Sequence, residues 1–296
     1  MATVLYKTDS VKFARIALHK QTARALLPQA DTQPIDAIDW HAHVFLRSLP
    51  MAPDRRYTPH TDAPLALLRR ILMQHRMAGA VLVQPSFLGT ANEFLLSALR
   101  ELRGAKSPQR FWGVVAVESD CAFDRLLTMQ AAGVIGCRLN LFARPLPDLC
   151  GRVWDRFFDN VNRLGWHVEL HLEGPRLPLL LPQLVERCER LVVDHFGLPD
   201  PERPQHCVGL KLLLEAPAER LWVKASAPYR VFEGLDADEA SRRCKPLYRI
   251  LVEALGPAHV LWGSDWPWTR FPDVGGYERT LAWRDAWQRA EPEDDR

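Results

Sequence analysis

Two histidines one residue apart, His41 and His43, close the apolar stretch Ile35-Asp-Ala-Ile-Asp-Trp-His-Ala-His-Val-Phe45. Alternate side chains of a strand share a face, so a strand here makes the two imidazoles neighbours in space. Paired imidazoles can ligate a cation, carry a proton or donate to a developing oxyanion. Four further apolar runs end in polar groups: Arg138 and Asn140 in Val134-Ile-Gly-Cys-Arg-Leu-Asn140, His171 in Trp166-His-Val-Glu-Leu-His171, His195 in Leu191-Val-Val-Asp-His195, and Asp265 in Leu261-Trp-Gly-Ser-Asp265. Five strand ends converging on one point would form a catalytic site.

The elements needed to hold them there are legible as eight strand-like segments, at 35–39, 79–84, 111–117, 134–140, 166–172, 190–194, 221–225 and 258–263. Helical spacing fills the intervals, as with Leu65, Leu68 and Leu72, or after Thr90-Ala-Asn-Glu93, which reads as a capping box. Eight strand-helix units predict a (β/α)8 barrel. Connections after strands are long and proline-rich, whereas those into strands are short. The long loops therefore gather at the C-terminal face, where barrel enzymes carry their sites. The expected organisation is an N-terminal extension over 1–33, a barrel over 34–290 and an acidic tail over 291–296. The basic extension reads as a frayed segment or a helix across the barrel end.

Composition bounds the partners. A 296-residue chain with 47% apolar and 25% charged residues and a net charge of +2 has the balance of a globular protein. That charge gives no reason to expect nucleic acid, and no apolar run approaches the length of a membrane span. Six scattered cysteines without paired spacing read as buried thiols in a reducing compartment, so the cytoplasm is the expected location.

Arg138 shares strand parity with Asn140, Arg144 follows in the next loop, and Arg230 ends the strand-seven segment. Three guanidiniums around one cavity, with no run of acids to pair them, predict a small anionic substrate gripped through its carboxylates. Lys224 and Glu169 read as a pair inside the barrel. Asp194, placed on the face opposite His195, reads as a cap for a neighbouring loop or helix.

The stretches Asp39-Trp-His-Ala-His43, Val83-Gln-Pro-Ser86, Gly136-Cys-Arg-Leu-Asn140, Val193-Asp-His-Phe-Gly197, Lys224-Ala-Ser-Ala-Pro-Tyr-Arg230 and Trp262-Gly-Ser-Asp-Trp-Pro267 together resemble the amidohydrolase superfamily. Their wording is closest to the amidohydrolase-related branch that includes 2-pyrone-4,6-dicarboxylate lactonases and sugar-acid lactonases. The resemblance implies hydrolysis of a small carboxylated lactone at the barrel mouth, with Asp265 as base and His195, His41 and His43 at the reacting carbonyl. It also implies that Arg138, Arg144 and Arg230 hold substrate carboxylates, with Ser86 and Tyr57 as further donors and His171 beside them.

Two readings of the cofactor stand at this point. His41, His43, His171 and Asp265 offer three nitrogens and an oxygen, enough for one Zn²⁺ or Mn²⁺ with an open position for water. Arg138 stands where a two-metal site would need a bridging lysine or acid, which argues against a binuclear centre. Some lactonases of the branch resembled work without metal, through histidines that polarise the carbonyl. A decarboxylase or hydratase on the same scaffold, and a non-catalytic binding barrel, are the rival functions.

Overall fold

The computed structural model describes residues 26–27, 37–104 and 109–289. Eight parallel strands run in the order of the chain: β1 (Ile38–Ala42), β2 (Gly79–Val83), β3 (Arg110–Val115), β4 (Val134–Asn140), β5 (His167–His171), β6 (Leu191–Val193), β7 (Leu221–Ser226) and β8 (Val260–Gly263). The circle closes where Asp265 N donates to His41 O and His43 N donates to Trp266 O, both at 2.8 Å. At this seam a Cβ on Gly263 would lie 2.6 Å from the Cβ of His41, so only glycine lets β8 approach β1. The (β/α)8 expectation is met.

Around the strands lie α1 (Leu65–Gln74), α2 (Glu93–Gly104), α3 (Phe123–Ala132), α4 (Arg152–Arg163), α5 (Leu181–Arg187), α6 (Val208–Glu215), a one-turn α7 (Pro228–Val231), α8 (Ala237–Leu255) and α9 (Tyr277–Gln288). Period two sorts the strand side chains into two cores. Outward residues such as Val168, Leu170, Val193 and Val223 join the helices in a large apolar layer. Inward residues, among them Trp40, Val81, Trp112, Val192, Trp222 and Leu261, fill the lumen. Leu26 and Leu27 add to that lumen cluster. The rest of the 1–33 extension and the 291–296 tail lie outside the described residues.

Local signals held unevenly. Asp236 caps α8 by accepting from the amides of Asp238 and Glu239 at 2.9 and 3.3 Å, as a capping aspartate should. The expected capping box before α2 takes another form. Asn92 turns its carboxamide to β3 instead, donating to Ala116 O at 2.7 Å and accepting from Ala116 N at 3.1 Å. β1 begins three residues later than the apolar pattern suggests, and its pairing with β2 is irregular between Asp39 and Ala42. Asp39 thereby faces β8 and α9, accepting from Ser264 Oγ at 2.6 Å and Tyr277 Oη at 3.0 Å. Among the described residues, no helix is long and apolar enough to cross a membrane.

Candidate active site

At the C-terminal ends of the strands a cavity, open at its mouth, is lined by His43, His171, His195, Asp265, Tyr57, Ser86, Arg138 and Arg230, among others. With Asn140, nine of the residues singled out from sequence are therefore brought together. Two are not. His41, fully buried, lies beneath the cavity floor. Arg144 turns away to bond Asp54 through Oδ2 at 2.6 Å and its backbone carbonyl at 3.1 Å.

Asp265 sits just past β8 in the left-handed backbone region, at φ +56°. This turns its carboxylate back into the lumen. Oδ2 accepts from Tyr229 Oη at 2.7 Å and Arg230 Nε at 2.8 Å. Oδ1 is buried and has no hydrogen-bond partner among the described residues. It faces His43 Nε2 at 3.3 Å and His41 Nε2 at 3.6 Å. Burial alone would raise this carboxyl, but the Arg230 guanidinium and the neighbouring imidazoles hold it well below its ordinary value. Asp265 is ionised with one oxygen free.

His41, His171 and His195 are neutral acceptors and donors rather than cations. Burial, and then the charge of Lys224, push His41 down to about 4, and burial pushes His195 down to about 3. Burial and His195 also hold His171 well below its usual value. His43 Nδ1 is 2.7 Å from the carbonyl of Val83, which can only accept, so Nδ1 carries a proton and, in the neutral ring, Nε2 presents a lone pair. His195 Nδ1 pairs with Ser226 Oγ at 2.8 Å.

Two sets of donor atoms lie close enough to share a cation, His41 with His43 and Asp265, and His41 with Asp194 and His195. His171 is in neither set. Its ring instead stacks on Phe142 at 5.5 Å and meets His195 edge-on at 5.0 Å.

Below the floor is a cluster of charges. Lys224 Nζ bonds Glu169 Oε2 in a short contact and approaches His41 Nδ1 at 3.0 Å and Asp194 Oδ1 at 3.4 Å. The expected Lys224–Glu169 pair is present. The expectation for Asp194 is corrected, since it is buried in the lumen beside His41 and Arg138. β6 ends at Val193, and Asp194 continues the inward parity of Val192. His195 reaches the site through a left-handed residue, at φ +51°, rather than by alternation.

The premise that the arginines lack internal partners is also corrected. Arg230 is bound to Asp265 and Thr269, and Arg138 donates to Gln84 O at 2.5 Å while standing 3.6 Å from Asp194. Sequence reading missed Arg56 and Arg270 at the mouth and Tyr229 on α7. The first two lie in or after long loops with no periodic signal. Tyr229 was hidden in a segment read as loop. Arg56 donates to Asn140 Oδ1 at 2.8 Å, and burial together with Arg144, Arg270 and Arg138 depresses its affinity for its proton.

A parallel barrel with imidazoles and a carboxylate at its C-terminal strand ends is an enzyme architecture. The chain belongs to the amidohydrolase family, whose model matches residues 38–296. The 2-pyrone-4,6-dicarboxylate hydrolase of Comamonas testosteroni is 32% identical over 252 residues, covering 81% of this chain and 79% of that protein. The 4-sulfomuconolactone hydrolase of Hydrogenophaga intermedia is 27% identical, over 83% and 80%. A crystal structure from Acinetobacter baumannii, provisionally named a 2-pyrone-4,6-dicarboxylic acid hydrolase and holding citric acid, superposes with a TM-score of 0.78 at 33% identity, covering 85% of this chain and 92% of that one.

Proposed function

We propose that this protein hydrolyses a small lactone bearing one or more carboxylates. The observation that carries the reading is the charge of the cavity. Four guanidiniums, of Arg56, Arg138, Arg230 and Arg270, line it against two carboxylates, Asp265 and Glu233. Burial, and then repulsion from Arg144, Arg270 and Arg138, depress Arg56, so an anion entering this mouth relieves a cost present in the empty protein. The relatives support the same reading, since the compounds in their names are lactones with anionic substituents.

The chemistry follows from the floor. Asp265 Oδ1, without a hydrogen-bond partner among the described residues and on the cavity wall beside His43 Nε2, is the acceptor to which a water in the cavity gives a hydrogen. The water oxygen attacks the lactone carbonyl as its proton passes to Asp265 Oδ1. His195, on the cavity wall, donates to the carbonyl oxygen as charge develops there. The ring C–O bond then breaks and the leaving oxygen takes the proton back from Asp265, yielding the open acid. Arg138 and Arg56 orient the substrate's carboxylates, Tyr57 and Ser86 border the ring, and Arg230 serves Asp265 rather than the substrate.

A single divalent cation on His41, His43 and Asp265 would supply a Lewis acid, but this donor set does not fit one. The nearer partner of His41 Nδ1 is the ammonium of Lys224, at 3.0 Å against 3.3 Å for Asp194. With Nδ1 accepting, Nε2 keeps its proton and only His43 and Asp265 offer lone pairs, short of the three protein ligands of a catalytic zinc site. No step is assigned to a metal.

The rival on this scaffold is decarboxylation. A panel of carboxylated lactones in a pH-stat with CO₂ detection separates them. Ring opening with acid released and no CO₂ is the expected result, and stoichiometric CO₂ would replace this reading with the rival.

A further inference from the structure

We infer that Lys224 is a positioning residue that fixes the tautomer of His41, and that it thereby keeps zinc out of the floor of this site. The inference deepens the metal-independent reading above and rests on it for its consequence in catalysis, while its structural content stands apart.

His41 Nδ1 lies between two groups of opposite demand. Lys224 Nζ, at 3.0 Å, can only donate; Asp194 Oδ1, at 3.3 Å, can only accept. Lys224 is itself 1% exposed and paired with Glu169 and Asp194, so its charge is matched by carboxylates and its hydrogens are aimed by them. One of its three hydrogens goes to Glu169, one lies toward Asp194 and one reaches His41. The imidazole then carries its proton on Nε2, the atom that faces Asp265 Oδ1 at 3.6 Å and has no other partner. The ammonium thus orients the imidazole, whose Nε2–H faces the catalytic carboxylate across a gap longer than a hydrogen bond. His41, buried under the floor, acts on the reaction by aiming Asp265 Oδ1.

Without Lys224 the nearest group to Nδ1 is Asp194, and the proton moves to that side. Nε2 then presents a lone pair beside those of His43 Nε2 and Asp265 Oδ1. Two nitrogens and an oxygen, all within 4.8 Å of one another, become the three-ligand set that a zinc ion takes with water in the fourth position. The same three side chains thus form a water seat or a metal seat according to one buried lysine.

The test reads the tautomer directly. In wild-type protein labelled with ¹⁵N-histidine, the His41 ring should show a protonated Nε2 and a bare Nδ1 at neutral pH. In Lys224→Met the assignment should reverse, kcat should fall about 10- to 100-fold with KM less affected, as for loss of a group that orients a reacting side chain, and dialysis against zinc should load about one ion per chain where the wild type loads none. Lys224→Arg should keep the wild-type tautomer. Lys224→Met strands two carboxylates, so the double variant Lys224→Met with Glu169→Gln, which removes one charge of each sign, carries the same measurements if the single variant does not fold. A protonated Nδ1 on His41 in the wild type, or stoichiometric zinc bound there, overturns the inference. Absent lactonase activity with the predicted tautomers would instead overturn the proposed function and leave Lys224 in its role.

Discussion

At the mouth of the cavity Arg56 and Arg270 stand in loops with partners on one side and open space on the other, and Arg144 braces the same rim by gripping Asp54. One side chain deeper, Lys224 and Arg138 stand among Glu169 and Asp194 with almost no solvent. The two layers use similar groups for different ends. Rim charges are weakly satisfied by the protein, so their unmet attraction is available to a ligand. Lumen charges are satisfied by one another, and their rigid placement sets which nitrogen of which histidine holds a proton. Removing a rim charge should therefore change what binds, and removing a lumen charge should change whether the site is correctly assembled.

The largest expected effect falls where the layers meet. Asp265→Asn keeps the shape but removes the proton acceptor, and kcat should drop ~10²- to 10⁴-fold with the fold intact by circular dichroism. Near-normal turnover would show that another group activates the water.

Next comes the lumen. Glu169→Ala leaves Lys224 without its closest counter-charge, and breaking a buried pair costs about 3–5 kcal/mol, which urea denaturation would register as a lower midpoint. A loss below about 1 kcal/mol, the range of exposed pairs, would mean that the lumen behaves like the rim.

Arg230 sharpens the comparison through pH. Its guanidinium lowers Asp265 against a burial effect that acts upward, so the wild-type rate should hold to well below pH 3.8, as far as the fold survives acid. Arg230→Met removes the largest of the lowering influences and leaves burial opposed only by the imidazoles. Asp265 then takes up a proton at higher pH, and the acid limb of the kcat/KM profile should move upward. An unmoved limb would detach Arg230 from the base.

The smallest effect belongs to the brace. Arg144→Met severs a partly exposed pair with Asp54 and should cost no more than about 1 kcal/mol of stability, with kcat unchanged. A large loss of turnover would return Arg144 to the substrate.

Much of this was legible in the chain because barrels write their geometry as repeats. Eight apolar runs with long loops on one side gave the fold and the face, and His43, His171, His195, Asp265 and Arg138 were found because each ends a strand. Strand parity failed where the backbone leaves the β region. His195 and Asp265 both have positive φ, so alternation extrapolated through them placed Asp194 outside the lumen. The pairing of charges was illegible for another reason. Asp54 with Arg144, and Asp265 with Arg230, are 90 and 35 residues apart in sequence, and a list of nearby acids cannot reveal partners brought by loops from other strands. Tyr229 and Arg230 reach Asp265 from the one-turn α7, too short to leave a periodic signal.

The central claim is that the rim selects a carboxylate while the floor performs the hydrolysis. It is tested most directly by comparing kcat/KM for one lactone as its free carboxylate and as its methyl ester, in the wild type and in Arg56→Met. A charged hydrogen bond is worth about 1.5–3 kcal/mol, so the wild type should favour the carboxylate by about ten- to a hundredfold through Arg56, and the variant should lose most of that preference while still opening the ester. Equal rates on both substrates in the wild type, or an equal loss on both in the variant, would contradict the account.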